Sequence, residues 1–574
     1  RGYTAWDPTS YAFVKDKTLY IPTAFCSYTG DVLDKKTPLL RSMEAISKQA
    51  VRILRLFGNT QVQNVVPTVG PEQEYFLIDK SVYDRRPDLQ FTGRTLLGNP
   101  PPKGQELEDH YFGAIKPRVA AYMADLDEEL WKLGVLAKTE HNEAAPAQPE
   151  LAPIFSTNNI ATDHNQLTME MMKQVASRHG MVCLLHEKPF AGVNGSGKHN
   201  NWSLTTDTGV NLLDPGTTPY ENAQFLLFLC AVIKAVDDYQ DLLRLSVASA
   251  GNDQRLGGYE APPAIVSMFL GSDLMGVLEA LEAKSPYDGG VEATMELGAD
   301  VLPTFPKDTT DRNRTSPFAF TGNKFEFRML GSSFSIADAN TVLNTAVADA
   351  LRDFADELEL ADDFTLRLGK LIRREFRAHK RILFNGNNYA PEWVEEAEKR
   401  GLCNYRSSVD AIVHLTDVKN VELFTRHGVF TGEELASRRE IMFENYAKVI
   451  HIEALTMLDM VRREILPAVI AYTDRLMKAA LRKRELGVSG NFETKLTEKL
   501  SALTDRIAET ADGLEHASAS AQACSGNEEK ARRHREAVIP AMQELRAACD
   551  EAELLVARDV WPYPSYGEML FSVM

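Results

Sequence analysis

Two glutamates in the segment GPEQEYFLID, residues 70–79, have the spacing of a catalytic or metal-binding pair. Gly70 and Pro71 have the composition of a turn, and the four residues after Glu74 have that of a buried strand. Side chains alternate between the faces of a strand, so Glu72 and Glu74 would share one face. Two like charges so close need a cation nearby, unless the strand end is simply solvated.

The same pattern of polar and aromatic alternation recurs in two later segments. In KFEFRML, the side chains of Lys324, Glu326 and Arg328 would lie on one face, with phenylalanines on the other. In HNNWSL, His199 and Ser203 would share a polar face in the same way. Strands that carry aromatic side chains on one face and charged side chains on the other predict a sheet with one polar face.

A third source of carboxylates is EHNEAAPAQPE, which offers Glu140, Glu143 and Glu150 around two prolines that exclude a helix. Carboxylates with a single imidazole suit the hard cations Mg²⁺ and Mn²⁺ better than zinc, and so much negative charge requires two or more ions. Each glutamate taken alone would more often be ordinary surface charge. The predicted metal ligands are Glu72, Glu74, Glu143, Glu150, His199 and Glu326.

The segment GVNGSGK, residues 192–198, satisfies most of a phosphate-binding P-loop pattern. The next residue is His199, where that pattern needs Ser or Thr, and a strand follows where it needs a helix. We therefore interpret Asn194 and Gly195 as a turn that brings backbone amides beside His199.

Arginines supply the opposite charge. Arg255 lies in NDQRLGGYEAPP, a segment with the glycines and prolines of a lid, and Arg312 and Arg314 precede the KFEFRML strand. Arginine suits bidentate binding of carboxylate or phosphate, although most such residues in loops are solvated. Metal ligands beside arginines, with no evident nucleophile–base pair, indicate phosphoryl transfer.

Composition excludes other classes of function. The chain has 574 residues, 44% of them apolar, and a net charge of −18, which argues against nucleic acid as a partner. Its six cysteines show no metal-binding or disulfide spacing, which predicts a reducing, cytoplasmic location. The most apolar run, residues 225–236, is too short to cross a membrane. No signal peptide is visible, and the first residue is Arg1 rather than Met.

Hydrophobic periodicity predicts a helix over residues 38–57, another capped by Thr162 or Asp163, and strands over 181–186 and 199–204. Beyond residue 336 the pattern is mainly helical, and two leucine-rich seams predict an antiparallel hairpin of helices. The predicted divisions are an N-terminal segment and linker (1–65), a catalytic domain (66–345), a helical extension (346–490), a helical hairpin (491–556) and a docking tail (557–574).

The order of five motifs resembles the glutamine synthetase family. These motifs are GPEQEYFLID, NEAAPAQPE, NGSGKHNNWSL, RLGGYEAPP and NRTSPFAFTGNKFEFR. The helical C-terminal half and the stretch SYTGDVLDKKTPLLRS resemble the long type III bacterial form. The resemblance implies an α+β fold with a curved antiparallel sheet flanked by helices. It also implies a ring-shaped homo-oligomer, a dodecamer of two hexameric rings, and ATP-dependent ligation of ammonia to glutamate through γ-glutamyl phosphate.

The resemblance also implies roles for individual residues. One metal ion, near glutamate and ammonia, would be held by Glu74, Glu143 and Glu150, and another, at the ATP phosphates, by Glu72, His199 and Glu326. Glutamate would be bound by Asn194, Gly195, Arg255 and Arg328, and the nucleotide by Phe155, Ser203, Lys324 and Arg314. Glu260 would lie on a flap that shields the acyl phosphate, with Glu260, Arg314 and Arg328 acting in catalysis.

Some features depart from the shorter forms of the family. Ala319 replaces a phosphate-side arginine, for which Arg312 could substitute, and Asn201 replaces the second histidine of an HxH-like pair. No DGSS-like motif of the N-terminal β-grasp domain occurs, so that segment is absent from these residues or ammonia is handled differently. Two alternatives stay open: a γ-glutamyl ligase that uses an amine, and a catalytically inactive structural or regulatory relative.

Overall fold

The computed structural model describes residues 2–32, 34–258, 261–287, 294–295, 305–306 and 313–573. The strands are β1 (Gly2–Trp6), β2 (Phe13–Lys15), β3 (Thr18–Tyr20), β4 (Thr23–Ser27), β5 (Val65–Glu74), β6 (Phe76–Asp79), β7 (Ala137–Asn142), β8 (Pro149–Pro153), β9 (Ser156–Thr157), β10 (Met181–Leu184), β11 (Gly197–Thr206), β12 (Met268–Phe269), β13 (Thr294–Met295), β14 (Phe305–Pro306), β15 (Phe318–Phe320) and β16 (Phe325–Gly331).

The first ten helices precede or close the region of the large sheet. They are α1 (Lys36–Leu56), α2 (Lys80–Tyr83), α3 (Pro87–Thr92), α4 (Pro117–Lys132), α5 (Asn158–Arg178), α6 (Ala223–Asp238), α7 (Gln240–Ser246), α8 (Ala250–Arg255), α9 (Ser272–Ala283) and α10 (Ala337–Glu359). The later helices are α11 (Phe364–His379), α12 (Pro391–Lys399), α13 (Ser408–Ile412), α14 (Val418–Arg426), α15 (Gly432–Met460), α16 (Leu466–Glu485), α17 (Asn491–Gln522), α18 (Asn527–Arg533), α19 (Ile539–Glu553) and α20 (Tyr566–Phe571).

One large sheet organises the first part of the chain, in the order β12-β15-β16-β11-β5-β8-β7, with β9 also paired to β5. Every pairing in it is antiparallel except that of β12 with β15. Helices α1, α6 and α10 pack on the apolar face of the sheet, where Trp202 and Phe327 are fully buried. The α+β fold class predicted from the sequence is confirmed.

The structure corrects the prediction of a turn at Gly70 and Pro71, because both residues lie inside strand β5. Phe155 crosses so near that a Cβ on Gly70 would lie 3.3 Å from its Cβ, which favours glycine there. Pro71, which has no N–H to donate, pairs with Asn200 beside a bulge in β11. Tertiary packing thus overrides the usual meaning of a Gly-Pro pair.

The predicted helix cap at Thr162 or Asp163 is also wrong. Helix α5 begins at Asn158, four residues earlier, and the Thr162 hydroxyl donates to the Asn158 carbonyl within the helix. Asp163 accepts hydrogen bonds from Lys36 and Ser10 of the N-terminal segment. Residues with the composition of a cap are instead used for tertiary contacts.

The C-terminal half is helical, as the periodicity predicts. Helices α17 and α19 form an antiparallel pair whose seam buries Leu500, Ile507, Leu514 and Leu545. A π-helical turn over His534–Val538 links α18 to α19. The tail folds back as α20, which buries its Tyr566 in a cluster with Phe76, Ile78 and Phe190. Among the described helices, none is both long and apolar enough to cross a membrane.

Candidate active site

Three neighbouring strands bring the first three predicted metal ligands together. Glu72 on β5 pairs in register with His199 on β11, and Glu326 on β16 lies on the far side of the same histidine. His199 Nδ1 lies 2.9 Å from Glu326 Oε1 and 3.1 Å from Glu72 Oε2. One ligand atom from each residue can therefore reach a common ion.

The other three predicted ligands lie beside this group. Glu74 and Glu150 are register partners across β5 and β8, and His199 Nε2 lies 3.7 Å from Glu74 Oε1. Glu143, in the loop between β7 and β8, has a ligand atom within 4.8 Å of one on Glu150. All six predicted ligands therefore lie in a single chain of overlapping three-residue groups.

Sequence reasoning missed His141 as a possible ligand. On β7, His141 pairs with Glu150, and its Nε2 lies 3.2 Å from Glu150 Oε1. Glu140 is on the opposite face, where its Oε2 lies 3.3 Å from the hydroxyl of Tyr75. His141 belongs to a group of possible ligands with Glu143 and Glu150. Its position two residues before Glu143 on an alternating strand is the signal that could have found it.

The protonation of the cluster follows from burial and repulsion. The pKa of Glu143 is raised to about 8, first by burial and then by the charges of Glu74 and Glu150. Burial raises the pKa of Glu150 to about 7, although the hydrogen bond from His141 opposes the rise. Protein groups do not fully compensate the charges of Glu143 and Glu150, and bound divalent cations would supply that compensation.

His199 and Glu326 differ from Glu143 and Glu150, because protein groups stabilise their charged forms. Burial alone would lower the pKa of His199, but hydrogen bonds to Glu326 and Glu72 raise it well above its ordinary value. Arg328 Nη2 also donates to Glu326 Oε2 at 2.8 Å. This end of the cluster is therefore balanced by cationic groups from the protein itself.

Two of the predicted glutamate-binding residues are buried arginines next to the cluster. Arg255 ends helix α8, and its guanidinium donates to the carbonyl oxygens of Leu330 and Arg328. Arg328 donates to the carbonyl of Asn313 at 2.5 Å as well as to Glu326. These contacts hold both guanidinium groups in place beside the candidate metal ligands.

Asn194 and Gly195 lie in the loop before β11, as predicted. Gln148 Nε2 donates to the Gly195 carbonyl at 2.9 Å, which ties this loop to the start of β8. Gln105, from another loop, exchanges two hydrogen bonds with Asn194: Gln105 Nε2 donates to Asn194 Oδ1 at 2.7 Å, and Asn194 N donates to Gln105 Oε1 at 2.8 Å.

Three of the predicted nucleotide-binding residues lie in or beside the strands of the large sheet. Phe155 is 65% exposed beside β5, and Lys324 immediately precedes β16. The Ser203 hydroxyl lies 2.8 Å from Asn211 Oδ1 and 2.9 Å from the Asn323 carbonyl. The roles of these residues in nucleotide binding stay predictions.

Arg314 reaches the cluster through an aromatic residue. Its guanidinium lies 5.9 Å from the ring centre of Tyr111, and that ring lies 5.6 Å from the ring of His141. Glu260 on the predicted flap and Arg312 lie outside the described residues. The side chain of Asn201, at the HxH-like position, donates to Glu72 Oε1 at 2.9 Å.

Three family models match this chain. They are described as the glutamine synthetase type III N terminal (residues 1–42), the glutamine synthetase catalytic domain (50–266) and the glutamine synthetase C-terminal domain (367–484).

Full-length relatives carry the same name. The chain is 51% identical over 590 residues to a glutamine synthetase of Butyrivibrio fibrisolvens, covering 100% of this chain and 82% of the relative. It is 45% identical over 599 residues to the type-3 glutamine synthetase of Dictyostelium discoideum, covering 100% and 80%. Among solved structures, that of Plasmodium falciparum glutamine synthetase is similar in fold, with a TM-score of 0.50, 14% identity, and coverage of 77% and 82%.

Proposed function

The chain belongs to the glutamine synthetase family, and from this premise we propose how its residues divide the work of the reaction. The activity is that of a glutamate–ammonia ligase, which uses ATP to join ammonia to glutamate through γ-glutamyl phosphate and yields glutamine, ADP and phosphate. The observation that carries the division of roles is the convergence of five carboxylates and His199 in overlapping groups of possible ligands.

Divalent cations fit this cluster because most of its donors are hard oxygens and because the charges of the buried Glu143 and Glu150 are left uncompensated by the chain. Glu74, Glu143 and Glu150 would hold one ion, and Glu72, His199 and Glu326 another, with Mg²⁺ or Mn²⁺ as the metal and two or three ions per site. When bound, the ions would neutralise phosphate charge during phosphoryl transfer.

The protein's own residues would bind and orient the substrates. Arg255 and Arg328, which carbonyl and carboxylate contacts hold in place, would bind the carboxylates of glutamate together with Asn194 and Gly195. Arg314 would stabilise the transferred phosphoryl group as its charge develops. The nucleotide would lie against Phe155, Ser203 and Lys324, and Glu260 would shield the acyl phosphate from water.

A γ-glutamyl ligase that uses an amine is the alternative, because the composition of the flap around Glu260 does not exclude an amine as the nucleophile. The test is an assay of glutamate-dependent ATP turnover with ammonia and with a series of primary amines at equal concentration. We expect glutamine formation with ammonia to exceed every amine product. Faster turnover with an amine than with ammonia would overturn the choice of ammonia as nucleophile.

We also propose self-association into a ring, a dodecamer of two hexameric rings. The N-terminal segment supports this because it exposes large side chains of the kind that interfaces bury: Trp6 is 66% exposed and Tyr11 is 70% exposed. Light scattering should give a mass of twelve chains, and a monomer at micromolar concentration would contradict the assembly. The cytoplasmic location stays a prediction.

A further inference from the structure

The hydroxyl of Tyr566, on the C-terminal helix α20, lies at the junction of three segments. It lies 2.6 Å from Thr95 Oγ1, and it accepts hydrogen bonds from Ala191 N at 3.2 Å and from Arg546 Nη2 at 2.9 Å. The Thr95 hydroxyl donates its own proton to the Pro189 carbonyl, so Tyr566 is the donor to Thr95. The phenol therefore uses its single proton and both lone pairs.

Helix α19 of the hairpin holds the loop that follows Thr95. Asp550 accepts a hydrogen bond from Gly98 N at 2.7 Å, and Glu553 accepts one from Asn99 N at 2.9 Å. Arg546 donates to the Gly98 carbonyl at 2.9 Å. Gly98 has φ +133°, and a Cβ there would lie 2.5 Å from Tyr566 Cε1, so only glycine lets the loop pass this close to the tail.

The far end of the same loop reaches the candidate glutamate site. Pro100 packs on Gly192, and Gln105 exchanges its two hydrogen bonds with the side chain and backbone of Asn194. Phe190 packs edge-on against the Tyr566 ring at 5.4 Å. The loop of residues 189–195, which carries Asn194 and Gly195, is thus held at one end by Tyr566 and at the other by Gln105.

We propose that Tyr566 and Gln105 are positioning residues for glutamate, which place the Asn194 loop for binding without touching the substrate themselves. The inference rests on the proposed role of Asn194. Because Arg546, Asp550 and Glu553 of the helical hairpin hold the loop between Thr95 and Gln105, the hairpin would influence glutamate affinity. The hairpin itself supplies none of the proposed site residues.

The test compares steady-state kinetics of Tyr566→Phe, which removes only the hydroxyl, with Tyr563→Phe on the same tail. The Tyr563 ring lies against the Arg86 guanidinium and packs in the core of the hairpin, so it serves as the matched control. A buried hydroxyl with three partners should cost about three- to tenfold in KM for glutamate when it is removed. We expect kcat and KM for ATP to change less than about twofold, and Tyr563→Phe to match the unaltered chain.

Gln105→Ala provides a second variant in a half-buried loop residue, so the test does not depend on whether Tyr566→Phe keeps its thermal stability. It should also raise KM for glutamate. Because both changes loosen one loop, the double variant should raise KM by less than the product of the single effects.

Two further measurements separate this inference from the proposed function. If the unaltered chain shows no glutamate-dependent ATP turnover, both are overturned. If turnover is normal and Asn194→Ala raises KM for glutamate, but Tyr566→Phe and Gln105→Ala leave it unchanged, the positioning role alone is overturned. An equal loss in kcat and in both KM values would likewise overturn it, because that pattern marks a general structural defect.

Discussion

Glu74 and Glu150 stand directly opposite each other in the antiparallel register of β5 and β8, with His141 on the other side of Glu150. Removing the Glu150 charge should strongly weaken metal binding. It should not weaken the fold, because the loss of this charge relieves the repulsion between Glu150 and Glu74 in the metal-free chain. Changes in residues that contact a metal ligand cost roughly 10–100-fold in metal affinity. Because Glu150 would be a ligand itself, Glu150→Gln should lower the affinity for Mn²⁺ by at least about 100-fold. Calorimetric titration with Mn²⁺ measures this, and activity should fall in parallel.

The matched control is Glu140→Gln, from the same motif but on the opposite face of β7. Its Mn²⁺ affinity should equal that of the unaltered chain. Equal affinities for both variants and the unaltered chain would remove Glu150 from the metal site.

Glu260 is predicted to protect the acyl phosphate, on the resemblance of the segment RLGGYEAPP. Glu260→Ala should still phosphorylate glutamate but lose the intermediate to water, so that phosphate release continues while glutamine release falls. Both products are measured in the same reaction. Glu279→Ala, an exposed residue of α9, should keep the phosphate-to-glutamine ratio of the unaltered chain. The same ratio in Glu260→Ala would mean that Glu260 does not guard the intermediate.

The seam of the helical hairpin should be a major source of stability. Leu545 on α19 is fully buried among the leucines of α17, so Leu545→Ala should cost about 2–5 kcal/mol through lost burial and a residual cavity. Thermal and urea unfolding report this loss. The neighbouring Glu544 is exposed, and Glu544→Ala should leave the unfolding midpoint nearly unchanged. Equal midpoints for the two variants would show that the seam does not stabilise the fold.

His379 should make stability depend on pH. Its Nδ1 lies 2.8 Å from Asp237 Oδ2 at the end of α6, with Asp238, Glu375 and Lys234 also nearby. Burial would lower the pKa of His379, but the hydrogen bonds to Asp237 and Glu375 raise it to about 9. A raised pKa stabilises the folded state fully below the unfolded value near 6.5, and the gain is lost as pH rises through about 9. The loss should amount to about 1–3 kcal/mol.

Thermal midpoints measured at pH 6 and pH 9.5 test this, with His379→Gln losing the histidine-dependent part of the difference. His516→Gln is the control, because His516 is exposed and contacts a backbone carbonyl. An identical pH dependence in His379→Gln and the unaltered chain would contradict the prediction.

Local alternation allowed much of the site to be predicted. In β11 the polar side chains of His199, Asn201 and Ser203 face the site while Trp202 enters the core, as a period of two requires. The same period predicts the shared faces of Glu72 with Glu74 and of Glu326 with Arg328. Five motifs in family order then identify the chemistry, because each motif carries its ligands at fixed local spacing.

The alternation of side chains along a strand does not determine which face of the strand points toward the site. Glu140 and His141 are adjacent on β7, so one of them must face the site and the other the protein behind it. Only the register of β7 on β8, which sets His141 opposite Glu150, decides between them. The turn predicted at Gly70 fails for a related reason, since the close approach of Phe155 comes from tertiary packing.

The tail is an example of a segment whose position in the fold cannot be predicted from the sequence alone. Its apolar composition determines that it must dock, because exposing those side chains to water is unfavourable. Its docking place is set by Tyr566, which contacts Thr95 across 471 positions of sequence. No local pattern encodes a contact of that separation. It forms because the folded hairpin carries the tail to the loop of the candidate glutamate site, and that arrangement exists only in the tertiary structure.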